Sequence, residues 1–208
     1  MNLKKLGWHD GLGSVGSSIP ARVISEVRNA YVLLCEAGEC SAQISGNFRH
    51  MATKRADLPV VGDWVLIDEF SSKNLVMIQK VLTRKSMISR KVVGNKTEEQ
   101  PLAANTDFIF IMMGLDNDFN LQRLERYLML GSHSNVTPII ILNKKDLIDD
   151  EAFEKHIKEI ETIAPGVPVH SFSLIQQDIA LEVLDPYLTD INAIVLLGSS
   201  GVGKSTLT

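Results

Sequence analysis

The chain has 208 residues, 45% hydrophobic and 22% charged, with a formal net charge of −4, as in ordinary globular proteins. No apolar run reaches the ~18–20 residues of a membrane-spanning helix, and no apolar leader follows Lys4 and Lys5, so the sequence predicts a cytoplasmic protein with no membrane partner. Charge is unevenly spread: residues 1–95 hold 13 Lys and Arg against 8 Asp and Glu, whereas residues 96–208 hold 8 against 17. The basic half fits either a polyanionic partner or a solvated basic surface.

The first half reads as β. Ala21–Val27, Tyr31–Cys35, Ser41–Ile44, Trp64–Asp68 and Leu75–Leu82 are rich in β-branched and aromatic residues. Turn-forming stretches separate them: Arg28-Asn29, Ala37-Gly38-Glu39, Ser45-Gly46-Asn47, Pro59 to Asp63 and Ser71 to Asn74. Five such strands suit a small barrel, either an OB-fold or an SH3-like one. Cys35 and Cys40 have no further metal-ligand partners in the sequence and read as reduced structural thiols. Ser86 to Pro101 is polar and holds Gly94-Asn95-Lys96, so it reads as a linker between domains at 1–95 and 96–208.

Beyond Asn105, strands alternate with helices. Phe108–Met113 is a continuous apolar strand of the parallel-sheet kind. Leu121, Leu124 and Leu128 follow at helical spacing behind Asp118 or Asn120 as cap. Ile139–Leu142 is the next strand, and Phe153, Ile157 and Ile160 stripe the next helix, with Glu154 and Lys158 a favourable i,i+4 pair. Val167–Val169, a helix over Ile179–Leu188 and the strand Ile194–Leu197 complete the series. This β-α alternation predicts an α/β sheet with helices packed on it.

Two motifs carry chemistry. Gly198-Ser199-Ser200-Gly201-Val202-Gly203-Lys204-Ser205 follows a strand and matches G-x-x-x-x-G-K-[ST] at every fixed position. Its glycines let backbone N–H groups wrap phosphates, Lys204 serves the β- and γ-phosphates, and Ser205 can ligate Mg²⁺; Thr206 continues the loop into a helix. Asn143-Lys144-Lys145-Asp146 ends the Ile139–Leu142 strand. The Asp146 carboxylate can accept both guanine N1–H and the 2-amino group, a pair of donors adenine does not offer. Lys144 can lie along the base and Asn143 can tie neighbouring loops. His170-Ser171-Phe172-Ser173 comes where a third, base-contacting loop belongs, with Ser171 and Phe172 as its expected contacts. Asn143 precedes Gly198, the reverse of the usual order in GTPases. Because such sites gather on one sheet edge, the order predicts a circularly permuted domain that binds GTP or GDP with Mg²⁺.

The chain resembles the bacterial small-subunit-dependent GTPases of the RsgA (YjeQ, YloQ) family. Ala21-Arg22-Val23, Ser45 to Arg49, Pro59 to Val65, Gln100 to Asp107, Asp118 to Leu128, Asn143 to Leu147 and Gly198 to Thr206 carry the likeness. The resemblance implies an N-terminal all-β OB-fold that touches 16S rRNA, followed by an incomplete α/β P-loop GTPase domain. It also implies a monomer that acts as a GTP hydrolase in late maturation of the 30S ribosomal subunit. Arg22, Arg28, Arg49, Lys54 and Arg55 are the candidate RNA contacts. The family's switch regions and C-terminal zinc domain find no match up to Thr208, so catalytic residues and Zn²⁺ ligands are expected beyond it, and the 208 residues alone are expected not to hydrolyse GTP. Two other readings stand beside this one: an RNA-binding module gated by nucleotide, and an ATP-using P-loop enzyme in which Asn143 to Asp146 is coincidence.

Overall fold

A computed structural model of the chain describes residues 2–12, 16–28, 30–68, 75–91, 99–175, 181–189 and 191–208. The chain forms two compact units, Met1–Thr106 with Asp190–Ala193, and Asp107–Thr189 with Ile194–Thr208. The expected boundary at residues 95 and 96, the Gly94-Asn95-Lys96 stretch, Asn29 and the turn at 71–74 lie outside the described residues.

In the first unit, β1 (Ile19–Val27), β2 (Ala30–Cys35), β3 (Gly38–Ile44), β4 (Trp64–Ile67) and β5 (Leu75–Val81) close a barrel in the order β1-β2-β3-β5-β4. β3 and β5 run parallel, and β4 returns antiparallel to β1. Alternation builds the interior, because successive side chains of a strand point to opposite faces. Tyr31, Leu33 and Cys35 from β2 and Cys40, Ala42 and Ile44 from β3 all face inward, where Val23, Ile67 and Ile78 meet them. Cys35 and Cys40 are both buried and unbridged, and burial pushes the Cys40 thiol up to about 11, with Cys35 adding to the effect. β4 breaks the alternation, being buried at all four positions. The N-terminal turn Leu3–Leu6 explains this, since Leu3, Leu6 and Trp8 cover Trp64 and Leu66 from outside.

The stretch before β4 is pinned by charge. Asp63 is fully buried, and Arg84 grips it with both prongs, Nε to Oδ1 at 2.7 Å and Nη2 to Oδ2 at 2.6 Å. Arg84 also donates to the carbonyls of Ala56 and Leu58. Burial raises the Asp63 carboxyl even against this guanidinium. Gly62 has φ +90°, and a Cβ there would sit 2.1 Å from the Ala104 carbonyl oxygen, so only glycine fits. Removing one member of a buried pair strands the other charge. Arg84→Ala is therefore expected to destabilise the first unit by about 3 kcal/mol. Urea unfolding measures this, and a loss below about 1 kcal/mol would show that water replaces the guanidinium.

The stretch read as a linker is instead partly a two-stranded ribbon, β6 (Met87–Lys91) with β7 (Glu99–Ala104), in the first unit. Its polar residues are its cross-strand pairs: Ser89 with Glu99, and Arg90 with Gln100.

The second unit is a parallel sheet in the order β10-β9-β8-β11. β8 (Phe108–Gly114) is central and nearly wholly buried, flanked by β9 (Thr137–Asn143) and β11 (Ile194–Gly198). A short α1 (Gly46–Met51) belongs to the first unit; α2 (Leu121–Ser134) and α3 (Asp150–Ile163) follow β8 and β9. Asn120 caps α2, its side chain accepting from Arg123 N at 2.8 Å. The i,i+4 ion pair of α3 is Lys155–Glu159, one position beyond the expected Glu154–Lys158. β10 is Val169–Ser171, two residues later than expected. Val167 N closes a turn onto Ala164, and Pro168 has no N–H to give. Of the expected helix over Ile179–Leu188, the described part is a single tight turn, Leu181–Leu184, whose Leu184 enters the core.

Candidate functional site

The four parallel strands end at one level. Gly114 of β8 stands opposite Asn143 of β9, Leu142 opposite Ser171 of β10, and Met112 opposite Gly198 of β11. Ligands of open α/β sheets bind outside such carboxyl ends. Both motifs found in the sequence leave the sheet there.

Asn143 is 4% exposed and holds three loops. Its Nδ2 donates to the Val202 carbonyl at 2.8 Å, inside the glycine-rich loop. Its Oδ1 accepts from Leu174 N at 3.1 Å, and its backbone carbonyl accepts from Leu115 N at 2.9 Å. A buried amide with every bond to backbone acts as a fixed spacer. Lys144 takes the left-handed conformation, φ 64°, and its Nζ donates to Asp116 at 2.7 Å. That ammonium holds the Asp116 carboxyl below its usual range. Lys145 N donates to the Phe172 carbonyl, and its Nζ lies over the Phe153 ring, 4.3 Å from the centroid. Asp146 is exposed on the turn Lys145–Leu147.

The glycine-rich loop joins β11 to α4 (Lys204–Leu207). Val202, 1% exposed, anchors it among Phe110, Met112 and Ile141. Gly203 has φ +106°, and a Cβ there would lie 2.5 Å from Asn143 Nδ2. Lys204 Nζ donates to the carbonyls of Gly198 at 3.1 Å and Ser199 at 2.5 Å. Ser200, Gly201, Ser205 and Thr206 are exposed. A loop with glycines at positive φ, a half-buried lysine and an exposed serine carries the groups needed to hold an anion and, through the hydroxyl, a divalent cation. Among the described residues no group of three or more His, Cys, Asp or Glu could hold a metal ion.

The third loop differs from expectation. The Phe172 ring is 7% exposed and packs in the core with Phe110 and Ile139, so it offers the edge of the sheet only backbone. Ser171 is the last residue of β10. The Phe172 carbonyl accepts from Lys145 N and Leu174 N donates to Asn143 Oδ1, so the backbone from Phe172 to Leu174 runs along this edge, and the buried Ser173 Oγ has no hydrogen-bond partner. Asp116 and Arg123 also belong to this edge, although the sequence singled out no role for Asp116 and marked Arg123 only as part of a family-like stretch. Arg123 Nη2 pairs with Asp118 Oδ1 at 2.7 Å, and Asp118 Oδ2 accepts from Ser199 Oγ at 2.6 Å. The available signal was two carboxylates, two positions apart, directly after a buried parallel strand.

The basic candidates of the first unit divide. Arg22 donates to the Leu6 carbonyl and its guanidinium lies 5.8 Å from the Trp64 ring centroid, so it has structural contacts of its own. Arg55 pairs with Glu26 at 2.7 Å. Arg28, Arg49 and Lys54 are exposed. No helix of the described residues is long and apolar enough to cross a membrane.

Comparison with known proteins agrees with this geometry. The family model for the RsgA GTPase matches residues 81–208. The chain is 38% identical to the small ribosomal subunit biogenesis GTPase RsgA of Opitutus terrae and 40% identical to that of Syntrophotalea carbinolica, each match covering 100% of this chain and 59% of the relative. Among solved structures, YjeQ from Thermotoga maritima aligns with a TM-score of 0.68 at 26% identity, over 91% of this chain and 63% of that one. YloQ, a circularly permuted GTPase, aligns with a TM-score of 0.66 at 24% identity over 96% of this chain and 65% of that one, a likeness of fold. The chain thus spans about three fifths of the length of these relatives.

Proposed function

The chain belongs to the RsgA GTPase family, and from that premise we propose that it binds GTP and GDP with Mg²⁺ at the carboxyl edge of its parallel sheet, as part of a protein that hydrolyses GTP on the small ribosomal subunit. The observation that carries the reading is the Asn143 side chain, bonded at once to Val202 of the glycine-rich loop and Leu174 of the third loop. One residue fixes the spacing between a base reader and a phosphate cradle, which is what a nucleotide-sized ligand requires.

In this reading Asp146 accepts guanine N1–H and the 2-amino group, and Lys144 lies along the base. The backbone at Ser171 and Phe172, tied to the base-reading loop through the bond from Lys145 N to the Phe172 carbonyl, lies beside the guanine O6. Backbone N–H groups of Gly198 to Ser205 hold the phosphates, Lys204 neutralises them and Ser205 ligates Mg²⁺. Fluorescently labelled GDP should be displaced by GTP and GDP but not by ATP, because the Asp146 carboxylate finds two donors on guanine and none on adenine's corresponding edge. Equal displacement by ATP would overturn the guanine reading and favour the ATP-using enzyme.

The finer proposals concern the whole protein, its 30S and 16S rRNA contacts, late subunit maturation, a cytoplasmic location, a monomeric state and the family's zinc site. Of these, the subunit and RNA contacts draw support from the relatives' names, as small-subunit biogenesis GTPases, and from the exposed Arg28, Arg49 and Lys54 on a closed barrel. Barrels of this type bind nucleic acid across one face and its loops. Affinity of the chain for small-subunit RNA should fall steeply as salt rises from 50 to 200 mM, since phosphate contacts release counterions. Replacing Arg49 and Lys54 together by alanine should flatten that slope by about two contacts, while Arg22→Ala should act on stability. An affinity indifferent to salt would leave these side chains as a solvated surface.

A further inference from the structure

We propose that Asp118 is a positioning residue for the phosphate loop, acting through Ser199, and that with Asp116 it couples that loop to the base-reading loop. The inference rests on the nucleotide reading above and adds to it two residues that belong to neither motif. β8 is the strand between β9 and β11, so the turn after Gly114 emerges between the two loops. Its two carboxylates face opposite neighbours. Asp116 takes Lys144 Nζ at 2.7 Å on the β9 side. Asp118 takes Ser199 Oγ at 2.6 Å on the β11 side. The turn is itself tied, since Asp118 N donates to Asp116 Oδ1 at 3.0 Å and Gly114 N to Asp118 Oδ2 at 3.3 Å.

A bare carboxylate next to a phosphate cradle would repel its ligand. Here Arg123 neutralises it, reaching both Asp118 Oδ1 and the Asp118 carbonyl. The pair is only about one fifth exposed, so the attraction is less screened than at an open surface. Asp118 can thereby hold Ser199 without adding net negative charge. What it sets is the direction of the Ser199 carbonyl, which accepts Lys204 Nζ at 2.5 Å. Asp118 thus reaches the phosphate-binding lysine through one serine. Its hydrogen bond is charge-assisted, stronger than a neutral one.

The experiment is a double-mutant cycle on the full 208-residue chain, reading the affinity and release rate of fluorescent GDP with Mg²⁺. Asp118→Ala and Ser199→Ala are each expected to weaken binding about tenfold and to speed release in proportion. Ser199→Ala made in the Asp118→Ala background should cost nothing further, because the bond is already gone. Ser199→Thr, which keeps the hydroxyl, should bind within about twofold of wild type. Lys204→Ala serves as the reference for loss of the cradle. Should Asp118→Ala fail to fold, the contrast of Ser199→Ala with Ser199→Thr decides alone. Two results overturn the inference by itself: wild-type affinity in both alanine variants, or losses that multiply in the double variant. A wild-type chain that binds no guanine nucleotide overturns the proposed function and this inference together.

Discussion

Alanine at position 203 is expected to weaken guanine-nucleotide binding by roughly a hundredfold while leaving urea unfolding of the barrel unchanged. Two independent costs fall on the same methyl group. At φ +106° an L side chain is strained against its own backbone, which costs of order 1–3 kcal/mol. The added Cβ would also stand 2.5 Å from Asn143 Nδ2 and 2.9 Å from Leu174 Cδ1. Leu174 is the far end of a flexible side chain and can turn aside. Asn143 cannot do so cheaply, because its amide is buried and bonded to Val202 and Leu174. Either the loop opens or the spacer between base and phosphate loops moves, and both spoil the nucleotide site. Equilibrium titration with fluorescent GDP measures the loss. Binding within a few-fold of wild type would mean that the loop takes a different path when it holds phosphate.

Asp146→Asn is expected to lower GTP affinity by roughly a hundredfold and to raise affinity for xanthosine triphosphate, inverting the preference. Guanine offers two donors to this position, and an exposed carboxylate can accept both. An asparagine has one acceptor and one donor, which matches xanthine's 2-oxo group and N1–H. Since Asp146 is exposed and contributes nothing to the core, the chain's thermal unfolding without nucleotide should stay within a degree or two of wild type. Unchanged GTP affinity in Asp146→Asn would remove this residue from base reading.

Much of this fold could be read from local pattern. Cys40, Ala42 and Ile44 alternate with Glu39, Ser41 and Gln43, and the barrel uses that alternation directly. Phe108–Met113 is unbroken by a polar residue because the strand is covered on both faces in the centre of its sheet. The glycine-rich loop and Asn143 were legible for a stricter reason: few residues tolerate the required backbone path or the required bonds. Pairing that depends on distant partners was not legible. Ser89, Arg90 and Gln100 look like linker residues until their cross-strand partners are known. The place of Arg22 beside Trp64 shows only once β1 and β4 are paired. The two serines flanking Phe172 are equivalent on paper, and only the register of β10 against Leu142 shows that Ser171 is still strand and Ser173 lies beyond it. Asp116 and Asp118 gain meaning only from β8 standing between the other two loops, an order that no window of sequence contains.

That order also governs how the nucleotide site comes into being during synthesis. Moving outward from the centre, β8, β9 and β10 pair in the order in which they leave the ribosome, each with the strand just made. β11 emerges after them and must return to β8, pairing Ile194 with Phe108 across the whole intervening chain. Contacts between distant segments form late, because loop closure opposes them until other contacts repay it. The strands that carry Asn143 and Ser171 thus pair with neighbours just made, whereas the glycine-rich loop reaches their edge only when β11 has docked on β8.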